Sequence, residues 1–266
     1  MTIQQIFSVE GKKAIVTGGA SGLGRAIAEG LLENGADVAV IDRDEARLAA
    51  EKDRLAGRGF HVRTYSGDVS EDVIASVIHS AVSDLGGVDI VFANAGVTGG
   101  YGPATGANEA GLFENIDLEA WQKTIEINLT GVIRTLKQVV PMLKEQRSGK
   151  IVVTASIAGL RANPSIGYSY TASKSALVLL IKELALELAP YGVNVNGLAP
   201  GPFKTNINNG RFFNADNEAG EAATVPLGRL GQPQEIKGLA LLLASDAASY
   251  ITGTVIPIDG GKTAGA

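Results

Sequence analysis

The stretch "TGGASGLG", Thr17 to Gly24, closes a β-branched run, "KAIVTG", and opens a helical pattern that runs from Leu23 to Asn34-Gly35. Strand, glycine turn and helix in that order suit a phosphate site. Gly18 can make the tight turn, Gly22 lets backbone approach a pyrophosphate, and Gly24 lets helix and strand pack closely. The helix N-terminus then offers unpaired N–H groups and the positive end of its dipole. The spacing is G-x-x-x-G-x-G rather than the common dinucleotide G-x-G-x-x-G, and a glycine turn alone is weak support for a nucleotide. Asp42 strengthens it. This residue closes the second strand, where a carboxylate can accept hydrogen bonds from an adenosine ribose and would repel a 2′-phosphate, favouring NAD over NADP. Arg43 follows at once and softens that preference, and the plainer reading of Asp42 is a solvated turn residue. Ser21 adds no cation to the loop.

Outward from this unit, short β-branched runs alternate with helical patterns. Strands are expected at "DVAVID" (from Asp37), "HVRTYSGD" (from His61), "DIVFANAG" (from Asp89), "KIVVTAS" (from Lys150), "VNVNGLAPG" (from Val193) and "TVIPIDGG" (from Thr254). Several are near-continuous apolar runs, as strands covered on both faces are. The alternation predicts an α/β fold: one domain over residues 1–266 with a doubly wound parallel sheet. Two stretches show no clear element, 97–118 and 202–225, and loops this long in a compact domain are more often functional than accidental.

Composition narrows the function. The 266 residues carry a formal charge of −5 and no cysteine. Disulfides and thiolate chemistry are excluded, and a reducing cytoplasm is the expected location. Without a long basic run, nucleic acid is not an expected partner. No apolar run reaches the roughly 18 residues a membrane span needs, and "MTIQQIFSVEGKK" has no signal-peptide core. No metal site is expected.

The stretch "SYTASKSALVLL", Ser169 to Leu180, sets Tyr170 four residues before Lys174, one helical turn apart on one face. A phenol of ordinary pKa near 10 is poorly matched to neutral pH, and a nearby ammonium favours its phenolate. Tyr-x-x-x-Lys is common by chance, so the pair alone decides nothing. Together with "TGGASGLG", "ANAG" (Ala93 to Gly96), "INLTG" (Ile127 to Gly131), "VTASIAG" (Val153 to Gly159), "YTASK" (Tyr170 to Lys174) and "NGLAPGPFKT" (Asn196 to Thr205), however, it resembles the ordered motifs of the short-chain dehydrogenase/reductase family, of compact-subunit type. The resemblance covers nearly the whole chain. It implies a seven-stranded Rossmann sheet, a nicotinamide cofactor, which Asp42 makes NAD, and a catalytic tetrad of Asn128, Ser156, Tyr170 and Lys174. Tyr170 would be the acid/base, with Lys174 supplying charge and holding the nicotinamide ribose. Ser156 would hydrogen-bond the substrate oxygen, and Asn128 would hold a water linking Lys174 to solvent.

By the same resemblance the cofactor lies against Gly18, Ser21, Gly22, Leu23, Gly24, Asp42, Asp68, Val69, Asn94, Ala95, Gly96, Tyr170, Lys174, Pro200, Gly201 and Thr205. Asp68 and Val69 would frame the adenine, and Thr205 would bind the carboxamide. Ala93 departs from the family, which often has a second Asn there, and this puts some strand-bracing hydrogen bonds in doubt. Residues "GGYGPATGANEAGLFEN" (99–115) exceed the usual family length and are expected either to wall the substrate pocket or to decorate the surface. Residues 202–226 are expected to form a lid, with Phe203, Phe212 and Phe213 on its inner face. Ser156 and Tyr168 are the further pocket residues. Leu177, Val178, Leu179, Leu180 and Leu186 point in nearly every direction, more than one sheet face can cover. This fits a helix deeply buried in a monomer or, as preferred here, one with a partner subunit on its far face, and the family resemblance implies a homotetramer. The expected activity is NAD(H)-dependent interconversion of a small-molecule secondary alcohol, cyclic and sugar-like alcohols included, with its ketone. The alternatives are an NADPH-dependent 3-oxoacyl reductase and a non-catalytic NAD-binding sensor.

Overall fold

All seven expected strands form, and they pair in parallel in the order β3-β2-β1-β4-β5-β6-β7. The computed structural model describes residues 1–100, 102, 103, 109–208 and 210–265. The strands are β1 (Lys13–Thr17), β2 (Asp37–Asp42), β3 (Val62–Ser66), β4 (Ile90–Ala93), β5 (Gly149–Thr154), β6 (Val193–Pro200) and β7 (Val255–Ile258). The helices are α1 (Ile3–Phe7), α2 (Gly22–Glu33), α3 (Glu45–Ala56), α4 (Ile74–Leu85), α5 (Leu118–Ile125), α6 (Gly131–Gln146), α7 (Tyr168–Leu188), α8 (Ala215–Ala222) and α9 (Ile236–Ala244).

The near-continuous apolar strands have their cause in two-sided burial. Successive side chains of a strand point to opposite faces, so Ala14 and Val16 join one core while Ile15 joins the other. The first core packs α2, α3 and α9 on the sheet through Ile27, Leu31, Leu48, Leu55, Ile236 and Leu243. The second packs α4, α6 and α7 through Ile74, Ile78, Leu136, Val139, Leu177 and Ile181. β1 lies between β2 and β4, with Ala14 opposite Val38 on one side and Ile90 on the other. The order of strands reverses there, so a crevice opens at their carboxyl ends, which is where ligands bind in sheets of this kind.

The stretch 202–225, unassigned from the sequence, holds a helix. Asn214 caps α8 by accepting from the N–H groups of Asp216 and Asn217, and Asp216 and Glu218 sit in its first turn, where the dipole favours negative charge. Those signals were present in "NADNEAGEA" but were masked by a segment with no apolar periodicity. Lys204 holds Glu218 at 2.7 Å, and Lys262 holds Glu221 and, at 2.8 Å, Thr224.

An ion-pair cluster ties α2, α3 and α9 together on the outside of the first core. Glu29 accepts from Arg54, from Arg58 at 2.7 Å and from Lys237 at 2.9 Å. Burial pushes the Glu29 carboxyl up, but the hydrogen bonds from Lys237, Arg58 and Arg54 outweigh it and hold the pKa at about 2. Because the folded pKa lies below the unfolded one, this stability is fully present above about pH 4.5 and is lost as pH falls towards 2. Substituting Glu29→Gln should cost about 2 kcal/mol at pH 7, between the values of exposed and buried pairs. Thermal melts at pH 7 and at pH 3 check this: the gap between wild type and variant should narrow at the lower pH.

Candidate active site

The glycine turn is built from contacts that admit no side chain. A Cβ on Gly24 would lie 2.1 Å from the Gly18 carbonyl oxygen and 2.4 Å from Nδ2 of Asn94, and one on Gly18 would lie 2.7 Å from Cα of Ala95. Gly18 also has φ of 66°, in the left-handed region that favours glycine. Thus the turn is pressed onto the end of β4. Asn94 donates from Nδ2 to the carbonyls of Thr17 (3.2 Å) and Gly18 (3.3 Å) and accepts from the Thr154 hydroxyl (3.0 Å). Thr17 Oγ1 in turn accepts from the N–H groups of Asn94 and Ala95 at 3.1 and 3.3 Å. The bracing that Ala93 put in doubt is made by these residues instead, and Ala93 itself is buried in the second core. This shaped cradle fits a dinucleotide: backbone can approach it closely, and α2 opens from it at Ser21, whose hydroxyl makes no cap bond. The Leu23 side chain packs against the first core.

Around the cradle the other expected cofactor residues fall in place along the crevice. Asp42 ends β2 with one oxygen on the Ala20 N–H and the other on the Asp44 N–H, both at 3.1 Å. Arg43 turns the other way, 3.6 Å from Asp68. Asp68 also accepts from the N–H and hydroxyl of Ser70. Burial pushes its carboxyl up, but the Ser70 and Arg43 contacts prevail and hold it below the usual range. The Val69 side chain is buried against Gly131, leaving backbone at the cleft. Pro200 closes β6, and a Cβ on Gly201 would strike Asp259 at 2.6 Å. Thr205 is buried with its side chain beside Gly22.

On the far side of Gly96 the four tetrad residues converge. Tyr170 and Lys174 share a face of α7, with the Lys174 Nζ 5.7 Å from the Tyr170 ring centre. Ser156, just beyond the end of β5, is buried with the Tyr170 phenol beside it, and its hydroxyl accepts from the Ala158 N–H at 3.1 Å. Lys174 donates to the Thr154 carbonyl at 2.7 Å. Burial pushes the Tyr170 phenol up, with Ser156 opposing, and pushes Lys174 down to about 8. The expected lowering of the phenol by the ammonium is therefore not what this arrangement gives: burial opposes both charged forms. Asn128 is fully buried in a π-helical turn, Glu126–Thr130, between α5 and α6. Such turns are frequent at functional sites. Its amide grips Val97 both ways, accepting from the N–H at 2.8 Å and donating to the carbonyl at 2.9 Å. A Cβ on Gly96 would sit 3.2 Å from Asn128 Oδ1 and 3.6 Å from Lys174 Nζ, between the two.

The aromatic residues need correction. Phe203 is 6% exposed and belongs to the first core, with its ring where a Cβ on Gly231 would fall; a parallel bridge to Gly231 turns it inward, away from any lid surface. Phe213 is 56% exposed beneath Lys204, so of the three only Phe212 is buried outside both cores. Tyr168 lies about 200° round α7 from Tyr170 and meets Phe113 edge-on at 5.5 Å. That pair sits on the outward face, and a pocket role for Tyr168 does not follow from it. The extra loop lies partly outside the described residues, at 101 and 104–108. Its start is fixed: a Cβ on Gly99 would strike the Tyr170 N at 2.6 Å, and the Ser169 hydroxyl donates to the Gly99 carbonyl at 3.2 Å. The start of the loop thus lies against the first turn of α7. The sequence reading missed Thr17, Thr154 and Phe113; the two threonines stand at strand ends beside the cradle, a position that flags them.

A Rossmann crevice with a glycine cradle at one end and, at the other, a half-buried tyrosine between a buried serine and a buried lysine defines a nicotinamide-dependent oxidoreductase site. Residues 18–263 match a family model described as enoyl-(acyl carrier protein) reductase. The chain is 36% identical over 262 residues to a rhamnolipids biosynthesis 3-oxoacyl-[acyl-carrier-protein] reductase of Pseudomonas aeruginosa, covering 96% of this chain and 97% of the relative. It is 37% identical over 272 residues to a cyclohexanol dehydrogenase of Rhodococcus, again with 96% and 97% covered. A gluconate 5-dehydrogenase from Burkholderia cenocepacia, solved with NADP and tartrate, superposes with a TM-score of 0.88 at 30% identity, over 99% of each chain. The protein belongs to the short-chain dehydrogenase/reductase family.

Lys174 gives a pH signature. Its folded pKa lies below the unfolded value, so the buried ammonium costs stability below about pH 8, and stability should rise as pH climbs from 8 towards 10.5. A Lys174→Met variant should lack that rise, a difference on the order of 3 kcal/mol at full effect. Denaturant melts of both proteins at pH 7 and pH 9.5 measure it.

Proposed function

We propose that the protein is an NAD(H)-dependent oxidoreductase that interconverts a secondary alcohol, cyclic or sugar-like, with its ketone. The observation that carries this reading is the meeting of Ser156 with the Tyr170 phenol one helical turn from buried Lys174, at the crevice the glycine cradle opens. Bound nicotinamide supplies or accepts the hydride at the carbinol carbon. Tyr170 holds the proton at the substrate oxygen, giving it in reduction and taking it in oxidation. Ser156, both donor and acceptor, fixes that oxygen beside the phenol. Lys174 holds the Thr154 carbonyl and the nicotinamide ribose side of the crevice, and with Asn128 it forms the route by which the proton leaves. Gly18, Ser21, Gly22, Leu23, Gly24, Asn94, Ala95 and Gly96 hold the cofactor's phosphates and inner ribose side. Asp68 and Val69 frame the adenine, and Pro200, Gly201 and Thr205 hold the carboxamide end.

Preference for NAD rests on Asp42, whose carboxylate is held at the end of β2 beside the turn while Arg43 is drawn to Asp68. The Burkholderia neighbour was solved with NADP, and the Pseudomonas relative is named a 3-oxoacyl reductase, so an NADPH-dependent reductase is the second reading. Initial rates with NAD and NADP across a panel of secondary alcohols separate the two. We expect kcat/KM at least tenfold higher with NAD, and Asp42→Ala should narrow the gap; an NADP preference in the wild type would overturn the assignment. Tyr170→Phe should lose turnover by a factor of about 1,000 or more while still binding NAD in calorimetry, which also separates an enzyme from a sensor.

Residues 202–226 form the lid of this reading, with Phe212 as its inward aromatic; residue 209 lies outside the described residues. A homotetramer in the cytoplasm completes the proposal. It is supported by Leu179 and Leu186, 61% and 75% exposed on one line of α7, and by the cysteine-free composition. Light scattering at micromolar concentration should give about four times the 27.4 kDa chain mass. No helix among the described residues is long and apolar enough to cross a membrane.

A further inference from the structure

Ser173 is fully buried, one turn along α7 from Tyr170 and next to Lys174, and no role has been given to it so far. Its hydroxyl donates to the Tyr170 carbonyl at 2.8 Å and accepts from Nδ2 of Asn128 at 3.3 Å. A serine hydroxyl has one proton to give. Because Tyr170 takes that proton, Ser173 presents only lone pairs to Asn128. An asparagine amide has two ends of similar shape and opposite hydrogen-bonding sense, and its orientation follows from the network around it. Here the Val97 N–H demands the oxygen on one side, while the Val97 carbonyl and Ser173 demand the nitrogen on the other.

We propose that Ser173 is a positioning residue whose hydroxyl fixes the orientation of the Asn128 amide and so joins the β4 loop at Val97 to the turn that carries Tyr170. This rests on the reading of Tyr170 and Lys174 as the acid/base pair. The consequence for that pair is geometric. Asn128 Oδ1 is held facing Gly96, where a methyl group would touch both this oxygen and the Lys174 ammonium. Were the amide to turn over, its N–H₂ would face Lys174, and the acceptor on the proton route would become a donor. Ser173 therefore acts through Asn128 and touches neither substrate nor cofactor.

The test uses Ser173→Ala, Ser173→Thr, Asn128→Ala and the Ser173→Ala/Asn128→Ala pair in the full chain with NAD bound. The first readout needs no turnover. The Val97 amide is bonded to a side chain rather than to a strand, so its hydrogen exchange should quicken about tenfold in Ser173→Ala, while the amides of Ile90–Ala93 stay unchanged. The second readout is kinetic. Ser173→Ala should lower kcat about tenfold with KM for NAD within twofold, the threonine variant should recover most of the loss, and the double variant should be no slower than Asn128→Ala alone. Unchanged Val97 exchange overturns the proposal, as do losses that multiply in the double variant. A wild type that turns over no secondary alcohol would defeat the functional reading instead, and the exchange result would still decide the role of Ser173.

Discussion

The contact of Gly24 with the Gly18 carbonyl and the Asn94 amide is the constraint on which the rest of the molecule depends. It brings the start of α2 onto the end of β4, two segments some seventy residues apart in the chain. With that approach made, β1 sits between β2 and β4, and helices cover both faces of the sheet. The crevice that follows has its phosphate end and its chemical end on either side of Asn94. Asn94 accepts from Thr154, and the Thr154 carbonyl receives Lys174, so one hydrogen-bonded chain runs from the glycine turn to the catalytic helix.

Burial dominates the electrostatics at the chemical end. It disfavours phenolate at Tyr170 and ammonium at Lys174 alike, so the pair is balanced rather than poised by simple attraction. A half-buried phenol beside a buried amine, each resisting its charge, still responds to a further charge nearby, because solvent reaches the pair from one side only. Tyr170 would meet such a charge if an oxidised nicotinamide were held in the crevice, and its phenolate would then be favoured.

Much of this was legible in the sequence because it depends on local chemistry and on period. Runs such as "KIVVTAS" are apolar at successive positions only when both faces are covered, and they became the central strands. The glycines, Asp42, Ser156, Tyr170 and Lys174 fell where strand ends and helix starts had to place them. What escaped depends on side chains far apart in sequence. Phe203 reads as a loop aromatic until Gly231 is seen to make room for its ring. Asn128 itself was named from the sequence, but its π turn was not, because such a turn differs from an α turn by one residue and leaves no mark in composition. Tyr168 lies two places from Tyr170, which in a helix is nearly the opposite side.

The bond between Lys237 and Glu29 joins residues 208 positions apart, and it marks a wider dependence of the earliest segments on late ones. The inner face of α2 packs against α9, whose Ile236, Ala240, Leu243 and Ala244 share the first core with Ile27 and Leu31. During synthesis the first βα unit leaves the ribosome with this apolar surface bare, and most of the chain must follow before its cover arrives. Contacts of such long range close slowly, and apolar surface exposed in the interval invites aggregation.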